Sequence, residues 1–265
     1  MQTNRVKALL AAGKVPIGHM VWEFKTRGIA TLVAGAGCDF LLYDMEHSGF
    51  DLDAIADLLA WTRGTDLTPI VRVPAIEYHF VARCLDAGAL GIMFPNVKSA
   101  AEARLAVSMV KYPPQGRRGL GLGHAHTRYQ APADAAAYLA EANAQTLVIA
   151  QIESRSAVEE VEAIAAVDGV DVLWVGHFDL SAGLGITAQF GNPLFEEAIA
   201  ATVAACRRHG KAAGFQPGSF DQARWALARG FACLSFGADS ALFGKALSAS
   251  VAEVRRLVSE EVCGG

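Results

Sequence analysis

The sequence has fewer positively charged than negatively charged side chains. Its 23 lysine and arginine residues are outnumbered by 27 aspartate and glutamate residues, which gives a formal net charge of −4. The adjacent pairs Arg117–Arg118 and Arg207–Arg208 are too short to form a polybasic arm. Nucleic-acid binding requires a basic patch or stripe. The composition therefore predicts no nucleic-acid partner.

Long apolar runs are also missing, although 52% of the residues are hydrophobic. No run approaches the roughly 20 residues that span a bilayer, and residues 1–16 lack the apolar core of a secretory signal. The five cysteines are dispersed without CxxC or zinc-site spacing, at Cys38, Cys84, Cys206, Cys233 and Cys263. Such a set predicts free thiols in a reducing compartment. We therefore expect a cytoplasmic protein without a membrane partner.

What the sequence does contain is an alternation of short apolar segments with helical patterns. Each apolar segment is bounded by polar residues or glycine, which is typical of buried parallel strands. Eight such strands are predicted, at residues 15–21, 39–43, 69–71, 90–94, 146–150, 171–175, 212–215 and 232–236. A helix follows each one, and a further helix capped by Asn4 is predicted before the first strand. Predicted N-caps of the later helices include Asp51, Ser99 and Ser156. Only residues 111–130 interrupt the alternation.

This pattern predicts an α/β fold, a single (β/α)8 TIM barrel over residues 1–265. Such barrels are typically about 250 residues long, and no linker, repeat or low-complexity segment divides the 265 residues of the chain.

Polar side chains follow nearly every predicted strand. The residues at these ends are Trp22, Asp44, Glu46, His47, Arg72, Asn96, Gln151, Glu153, Asp179, Gln216 and Asp239. The carboxyl ends of barrel strands form the catalytic face of this fold, so we expect the set to converge there. For any one of these residues, an alternative is that it caps a helix or forms an ion pair that braces the rim.

Two carboxylates in this set follow consecutive strands. Glu153 comes just after the fifth strand and Asp179 just after the sixth, with Gln151 beside the first. Oxygen ligands of this kind suit a hard divalent cation such as Mg²⁺ or Mn²⁺. The sequence therefore predicts a metal site formed by Glu153 and Asp179.

Several motifs, in order along nearly the whole chain, resemble those of a known family. They are Asp44-x-Glu46-His47, Val71-Arg72, Leu85-Asp86-Ala87-Gly88, Tyr112-Pro113-Pro114-x-Gly116-x-Arg118-Gly119, Gln151-Ile152-Glu153 and Asp179-Leu180-Ser181. The set resembles the metal-dependent (class II) pyruvate aldolases of the 4-hydroxy-2-oxoheptanedioate and 2-dehydro-3-deoxyglucarate aldolase type. These are barrels of the phosphoenolpyruvate/pyruvate superfamily.

The resemblance implies an enzyme, a carbon–carbon lyase that cleaves a 4-hydroxy-2-oxo acid into pyruvate, or a related 2-oxo acid, and an aldehyde. It implies a divalent cation, Mg²⁺, Mn²⁺ or Co²⁺, held by Glu153 and Asp179, and a place in the catabolism of sugar acids or aromatic compounds. Arg72 would contact the keto oxygen, and Gln151 would help to hold the substrate. His47 would be the acid/base, with Asp44 or Glu46 behind it.

The same resemblance implies a homo-oligomer. In the family, the residue equivalent to Asp86 reaches the active site of a neighbouring subunit, where it serves catalysis. The family forms hexamers, arranged as trimers of dimers, and exchanges its last helix between subunits. The apolar stripe of residues 242–258 is compatible with that exchange.

The sequence departs from the family pattern before Asp179. The family has Gly-Pro-small-Asp, whereas this chain has Gly176-His177-Phe178-Asp179. Phe178 replaces the small residue and is expected to alter the shape of the acceptor pocket. Trp22, Phe178 and residues 119–128 predict an acceptor side that is partly apolar, and Gln216 is expected to contact substrate. We expect His177 to pack under the loop rather than to act as an acid or base.

A second unusual stretch is the glycine-rich run of residues 119–128. We expect it to be a flexible loop that borders the pocket, where His124 could touch substrate. Its glycines do not join a strand to a helix as a phosphate cradle would, and no carboxylate adjoins His124 and His126 in sequence to complete a zinc site.

Three other functions remain open at this point. A Schiff-base aldolase needs a desolvated lysine at a strand's carboxyl end, and neither Lys98 nor Lys211 is so placed. A lyase for malyl- or citryl-type CoA thioesters, or a phosphoenolpyruvate enzyme, needs cationic groups for phosphates, and the predicted rim offers one clear arginine. A non-catalytic barrel that binds a metal–oxo acid complex would retain the same ligands without turnover.

Overall fold

Eight parallel strands close into one barrel in the order β1 to β8, which confirms the predicted (β/α)8 architecture. The computed structural model describes the backbone of residues 2–263 and the side chains of residues 2–261. The predicted free thiol of Cys263 and the two ends of the predicted domain lie outside this range. The strands are β1 (Ile17–Val21), β2 (Phe40–Asp44), β3 (Thr68–Arg72), β4 (Gly91–Phe94), β5 (Leu147–Ile152), β6 (Val172–Val175), β7 (Ala212–Phe215) and β8 (Cys233–Ala238).

Helices surround the barrel and connect its strands. In chain order they are α1 (Arg5–Ala11), α2 (Ile29–Gly35), α3 (Leu52–Thr62), α4 (Tyr78–Ala87), α5 (Ala100–Val110), α6 (Ala135–Gln145), α7 (Arg155–Glu159), α8 (Val161–Ala165), α9 (His177–Gly183), α10 (Pro193–Arg208), α11 (Phe220–Arg229) and α12 (Asp239–Cys263). A short 3-10 helix, Ala125–Thr127, lies within the long connection between α5 and α6. No helix in the described part of the chain is long and apolar enough to cross a bilayer.

Side-chain caps start most of the predicted helices where the sequence placed them. Asn4, Asp51 and Ser99 each accept a hydrogen bond from the amide three residues later. The prediction of Ser156 as a cap is wrong. Ser154 caps α7 instead, because the backbone at Ser154 is still extended and the helix begins at Arg155. Ser156 therefore lies inside the first turn.

Large aromatic side chains fill the barrel interior opposite glycines on neighbouring strands. A Cβ added at Gly18 would lie 2.2 Å from the ring of Phe40, and one at Gly214 would lie 2.2 Å from the ring of Trp174. Phe40 and Trp174 belong to the apolar cluster inside the barrel, while a larger cluster lies between the strands and the helices. Interiors at crystalline density leave no room for both a ring and a Cβ. These glycines are therefore required by packing.

The amino-terminal end of the barrel is closed by α1 and by a buried lysine. The Asn4 side chain donates hydrogen bonds to the carbonyls of Leu90 and Gln145, at 3.0 and 2.8 Å. The Lys111 ammonium donates to the carbonyls of Asn143 and Thr146, at 2.7 Å each. Burial is the main reason that the pKa of Lys111 is lowered to about 8, and the positive charge of Lys7 adds to it.

Candidate active site

A cleft of about 650 Å³ opens at the carboxyl ends of the strands. Seven of the residues predicted for the site line it: Trp22, His47, Arg72, Gln151, Phe178, Asp179 and Gln216. Side chains that are far apart in sequence meet here because each follows a strand of the same parallel barrel. The convergence expected from the strand ends is therefore present.

Arg72 is held at the floor of this cleft by Asp44. The two residues are register partners at the ends of β3 and β2, and Arg72 donates from Nε and Nη2 to the two Asp44 carboxylate oxygens at 2.7 and 2.6 Å. Both side chains are buried. Such a bidentate pair fixes the plane of the guanidinium. Its remaining nitrogen, Nη1, lies 3.2 Å from Glu46 Oε2.

Glu46, rather than Asp44, is the carboxylate that stands next to His47. Glu46 Oε2 lies 3.7 Å from His47 Nε2, whereas the Asp44 carboxylate accepts from Arg72 and from the Glu46 amide. Burial raises the pKa of Glu46 despite the opposing charge of Arg72, and the charges of Asp44 and Asp179 raise it further. His47 itself is largely exposed in the cleft, with 56% of its side chain accessible.

Glu153 is buried at the end of β5 between two hydrogen-bond donors. The Asn96 amide donates to Oε1 at 2.6 Å, and the Gln151 amide nitrogen donates to Oε2. Burial is the main reason that the pKa of Glu153 is raised to about 7, and the negative charges of Glu46 and Asp179 add to it. A Cβ at Gly176 would lie 2.2 Å from Glu153 Oε2. Only glycine therefore fits above this carboxylate.

Asp179 approaches the same place from β6. It lies in the first turn of α9, which begins directly after Gly176. The electrostatic influence of Asp179 on both Glu46 and Glu153 places the three carboxylates in one negative region.

The chemistry of these donors fits a divalent cation. Gln151 Oε1 is buried here without a hydrogen-bond partner. Among the described side chains, no three from His, Cys, Asp and Glu gather closely enough to enclose a metal on their own. Mg²⁺ commonly uses one or two carboxylates and completes its shell with water and substrate oxygens. Glu153 and Asp179 with the free oxygen of Gln151 meet that requirement.

Asp86 lies away from the cleft, near the end of α4. Its carboxylate accepts a hydrogen bond from Arg118 at 2.8 Å, and its carbonyl is 3.2 Å from His126 Nδ1. The glycine-rich run 119–128 packs against the same helix, since the Gly119 amide donates to the Tyr78 hydroxyl. The expectation that this run borders the pocket of its own chain is wrong, because none of its residues lines the cleft.

The position of Asp86 and the glycine-rich run also bears on whether His124 and His126 could bind zinc. A carboxylate does lie near them, since His126 Nδ1 is 3.9 Å from Asp86 Oδ1. However, the Asp86 carboxylate is already bonded to Arg118, and no three metal-binding side chains gather among the described residues. His124 does not line the cleft of its own chain.

Two further residues play the packing and bracing roles that the sequence left open. The His177 ring packs against Phe178, Phe190 and Phe215, with centroids 4.6, 5.2 and 4.9 Å away. Its pKa is lowered to about 4, chiefly by burial. Asp239 accepts hydrogen bonds from the amides of Glu23 and Phe24 and so braces the loop after β1.

Sequence reasoning missed the contribution of α11 to the cleft. Ser219 and Gln222, at the start of that helix, line the wall opposite Arg72. Ser219 caps α11 through the Gln222 amide, and the Gln222 side chain accepts from the Gly218 amide at 2.7 Å. The Ser-x-x-Gln spacing indicates a helix start but does not reveal that the helix start faces the cleft.

Comparison with known proteins agrees with this geometry. The 5-keto-4-deoxy-D-glucarate aldolase of Escherichia coli K12 is 36% identical over 244 residues, which cover 92% of this chain and 93% of that protein. A crystal structure of an HpcH/HpaI aldolase from Desulfitobacterium hafniense DCB-2 superposes with a TM-score of 0.87 at 34% identity and covers 96% of each chain. An HpcH/HpaI aldolase/citrate lyase family protein from Burkholderia cenocepacia J2315 gives a TM-score of 0.88 at 35% identity, covering 96% of this chain and all of that one. The model of the HpcH/HpaI aldolase/citrate lyase family matches residues 22–246, and the chain therefore belongs to this family.

Proposed function

We propose that this protein is an aldolase that reversibly cleaves a 4-hydroxy-2-oxo acid into pyruvate, or a related 2-oxo acid, and an aldehyde. The observation that carries the proposal is the meeting of His47, Arg72 and Asp179 at one cleft, with the buried Glu153 carboxylate hydrogen-bonded to Gln151, which also lines it. Relatives named as aldolases for a deoxy-keto sugar acid support the reaction class.

A divalent cation, Mg²⁺, Mn²⁺ or Co²⁺, would be held by Glu153 and Asp179 with help from Gln151. When bound there, such a cation supplies Lewis-acid stabilisation to the carboxylate and keto oxygen of the 2-oxo acid. Burial, and after it the negative charges of Glu46 and Asp179, raise the pKa of Glu153, and a cation bound there would favour its carboxylate form.

Arg72 is the protein's own stabiliser of the keto oxygen. Its Nε and Nη2 are bound to Asp44, so Nη1, which lies 3.2 Å from Glu46 Oε2, is the nitrogen that would contact the substrate keto oxygen. Charge develops on the keto oxygen as an enolate forms, and a preoriented donor stabilises that charge without reorganising. Removing one such donor typically costs about 2.7–4 kcal/mol of barrier.

His47 moves the proton. In the cleavage direction a ring nitrogen takes the proton of the 4-hydroxyl, the C3–C4 bond breaks, and the aldehyde leaves. The electron pair of that bond becomes the enolate, and a proton returned to C3 gives the methyl group of pyruvate. Glu46, beside His47 Nε2, stabilises the protonated ring.

The competing functions lack supporting observations. Arg72 is the only lysine or arginine side chain among the described residues that line the cleft, so neither a Schiff base nor CoA phosphates would find a partner there. Lys111 has a lowered pKa but is buried at the other end of the barrel. A non-catalytic oxo-acid-binding protein would share the ligands and is distinguished by the following experiment.

The test is proton exchange of pyruvate in D₂O, followed by proton NMR of the methyl group. We expect exchange with Mg²⁺, Mn²⁺ or Co²⁺, no exchange with chelator, and none in Glu153→Gln. Glu159→Gln, an exposed glutamate on α7, is the matched control. A metal-replete protein that exchanges no methyl protons would contradict the aldolase and favour a binding role.

We further infer a hexamer, a trimer of dimers in which α12 is exchanged between subunits. The apolar residues Leu247, Val251, Val254 and Val258 recur on one side of α12, and each is at least 43% exposed. Asp86 would complete the catalytic groups of a neighbouring subunit, since it lies outside its own cleft. The free thiols of Cys38, Cys84, Cys206 and Cys233 favour a cytoplasmic location.

A further inference from the structure

A second cavity, of about 400 Å³, lies directly beside the catalytic cleft between α10 and α11. It is lined by aromatic rings, chiefly Phe190, Phe195, Phe215 and Trp225. An apolar cavity of about 150 Å³ is enough to hold benzene. The space therefore suffices for a ring or a short chain of carbons, and we refer to it as the aromatic cavity.

Two side chains, His177 and Gln222, line both spaces. Gln222 is anchored by its hydrogen bond from the Gly218 amide. The ring nitrogens of His177, by contrast, form no hydrogen bond to any other residue in 2–261, and the ring is held by stacking alone. The partition between the cleft and the aromatic cavity therefore includes a side chain that can turn without breaking a hydrogen bond.

The polar groups of the far wall are satisfied by each other. Glu196 accepts from the Trp225 indole nitrogen at 3.3 Å and from Arg229 Nη2 at 2.8 Å. The Arg229 guanidinium also stacks on the Trp225 ring, with its carbon 4.4 Å from the centroid. With Glu196 and Arg229 engaged in this way, the cavity offers a ligand ring faces together with the side chains of Asp221 and Gln222.

From this arrangement we infer that the aldehyde handled by this aldolase carries an aromatic or otherwise apolar substituent, which occupies the aromatic cavity. The inference rests on the proposed function. The charged end of the substrate belongs with Arg72 and Glu153 on the β3–β5 side, while the cavity adjoins the β6–β7 side through His177. Hydroxyl groups placed against the ring faces of Phe190, Phe195 and Phe215 would lose their hydration without gaining a hydrogen bond from those rings, at a cost in binding. Phe178, exposed at the mouth, extends the same apolar surface.

The first test compares acceptors in aldol addition to pyruvate. We expect kcat/KM for 3-phenylpropanal to exceed that for glycolaldehyde by at least about tenfold, because burying a ring-sized group is worth that much. Gly191→Leu or Phe190→Trp, which would fill the cavity, should lower the ratio of kcat/KM for 3-phenylpropanal to kcat/KM for glycolaldehyde by about tenfold. A Cβ at Gly191 meets no atom within 4 Å, so the variant should fold. Leu194→Phe, which adds bulk at an exposed residue outside the lining, is the control.

Pyruvate methyl-proton exchange separates this inference from the proposed function, since it needs no aldehyde. We expect exchange within about twofold of wild type in all three variants. The inference of an apolar acceptor is overturned if methyl-proton exchange is normal but kcat/KM is similar for 3-phenylpropanal and glycolaldehyde. It is also overturned if Gly191→Leu and Phe190→Trp leave the ratio of these two kcat/KM values unchanged. In both cases the proposal of an aldolase still stands.

The second test does not depend on activity. The Trp225 indole N–H resonance, assigned by its loss in Trp225→Phe, should shift when wild-type protein is titrated with 3-phenylpropanol, which has the same carbon skeleton. The shift should be absent in Gly191→Leu and present in Leu194→Phe. A Trp225 resonance that does not move at any concentration of the alcohol would show that the cavity holds no such ligand and would overturn the inference.

Discussion

The Arg72 guanidinium is fixed by the Asp44 carboxylate at the ends of neighbouring strands, through hydrogen bonds of 2.7 and 2.6 Å. Asp44 is therefore a positioning residue, because it fixes the orientation of Arg72, whose Nη1 lies 3.2 Å from Glu46 Oε2 at the cleft.

We expect Asp44→Ala to lower the free energy of unfolding by about 3–5 kcal/mol, because it leaves a buried guanidinium without its carboxylate. Activity should fall with it, since Arg72 would lose its orientation. Urea denaturation measures the first effect and pyruvate exchange the second. Asp221→Ala, which removes the carboxylate of the exposed pair with Arg224, should change neither. Equal stability of the two variants would show that the buried pair does not hold the site together.

Glu153 should govern the response to divalent metals. At 100 times its dissociation constant a ligand stabilises the folded state by about 2.7 kcal/mol, which corresponds to a rise in Tm of about 5–10 °C for a chain of this length. We expect that rise with Mn²⁺ or Mg²⁺ in wild type and its loss in Glu153→Gln, measured by differential scanning fluorimetry. If the metal raises the Tm of Glu153→Gln as much as that of wild type, the cation binds at another site. Glu159→Gln again provides the control.

Lys111 should make stability depend on pH above neutrality. Burial lowers its pKa from the ordinary lysine value of 10.5 to about 8 in the folded protein, so the unfolded chain binds more protons between these two pH values. Stability therefore rises with pH across that window, by at most about 1.4 kcal/mol per pH unit. Urea midpoints from pH 7 to 10 for wild type and Lys111→Met would isolate this contribution as their difference. A difference that is constant with pH would mean that Lys111 remains fully charged.

Substitution of Gly18 should destabilise the protein as long as Phe40 is present. A Cβ at Gly18 would overlap the Phe40 ring at 2.2 Å, and overpacking typically costs about 1–3 kcal/mol. We expect Gly18→Ala to be destabilised by about that amount and Gly18→Ala/Phe40→Leu to be less unstable than the sum of the single variants. A double-mutant cycle in urea measures this coupling, and strict additivity would exclude a clash between the two side chains.

The apolar stripe of α12 should control assembly. Val251→Glu and Val254→Glu together place charges on the stripe, and we expect the hexamer to dissociate in size-exclusion chromatography with light scattering. Ala249→Glu adds the same charge on the opposite side of the helix and should leave the assembly intact. If exchange of α12 brings Asp86 to a neighbouring site, the dissociated form should also lose activity. A wild-type chain that runs as a monomer would refute the inferred hexamer.

Several parts of this protein could be read from local patterns. The apolar runs 146–150 and 171–175 predicted β5 and β6, and the residues that follow them, Glu153 and Asp179, were placed at the rim without a structure. This succeeded because strand periodicity is local and because every carboxyl end of a parallel barrel faces the same side. Helix starts were less secure, as the shift of the α7 cap from Ser156 to Ser154 illustrates.

The amino-acid sequence by itself thus determined the barrel, its order of strands and the chemical character of its rim. Only the tertiary structure decided which rim residues act on one another. Strand register places Asp44 beside Arg72, and Glu46 is the carboxylate that lies next to His47. Helix packing places residues 119–128 against α4 and forms the aromatic cavity beside His177. The physical reason is that periodicity and strand ends depend on neighbours along the chain, whereas register, partnering and cavities depend on how distant segments fill space.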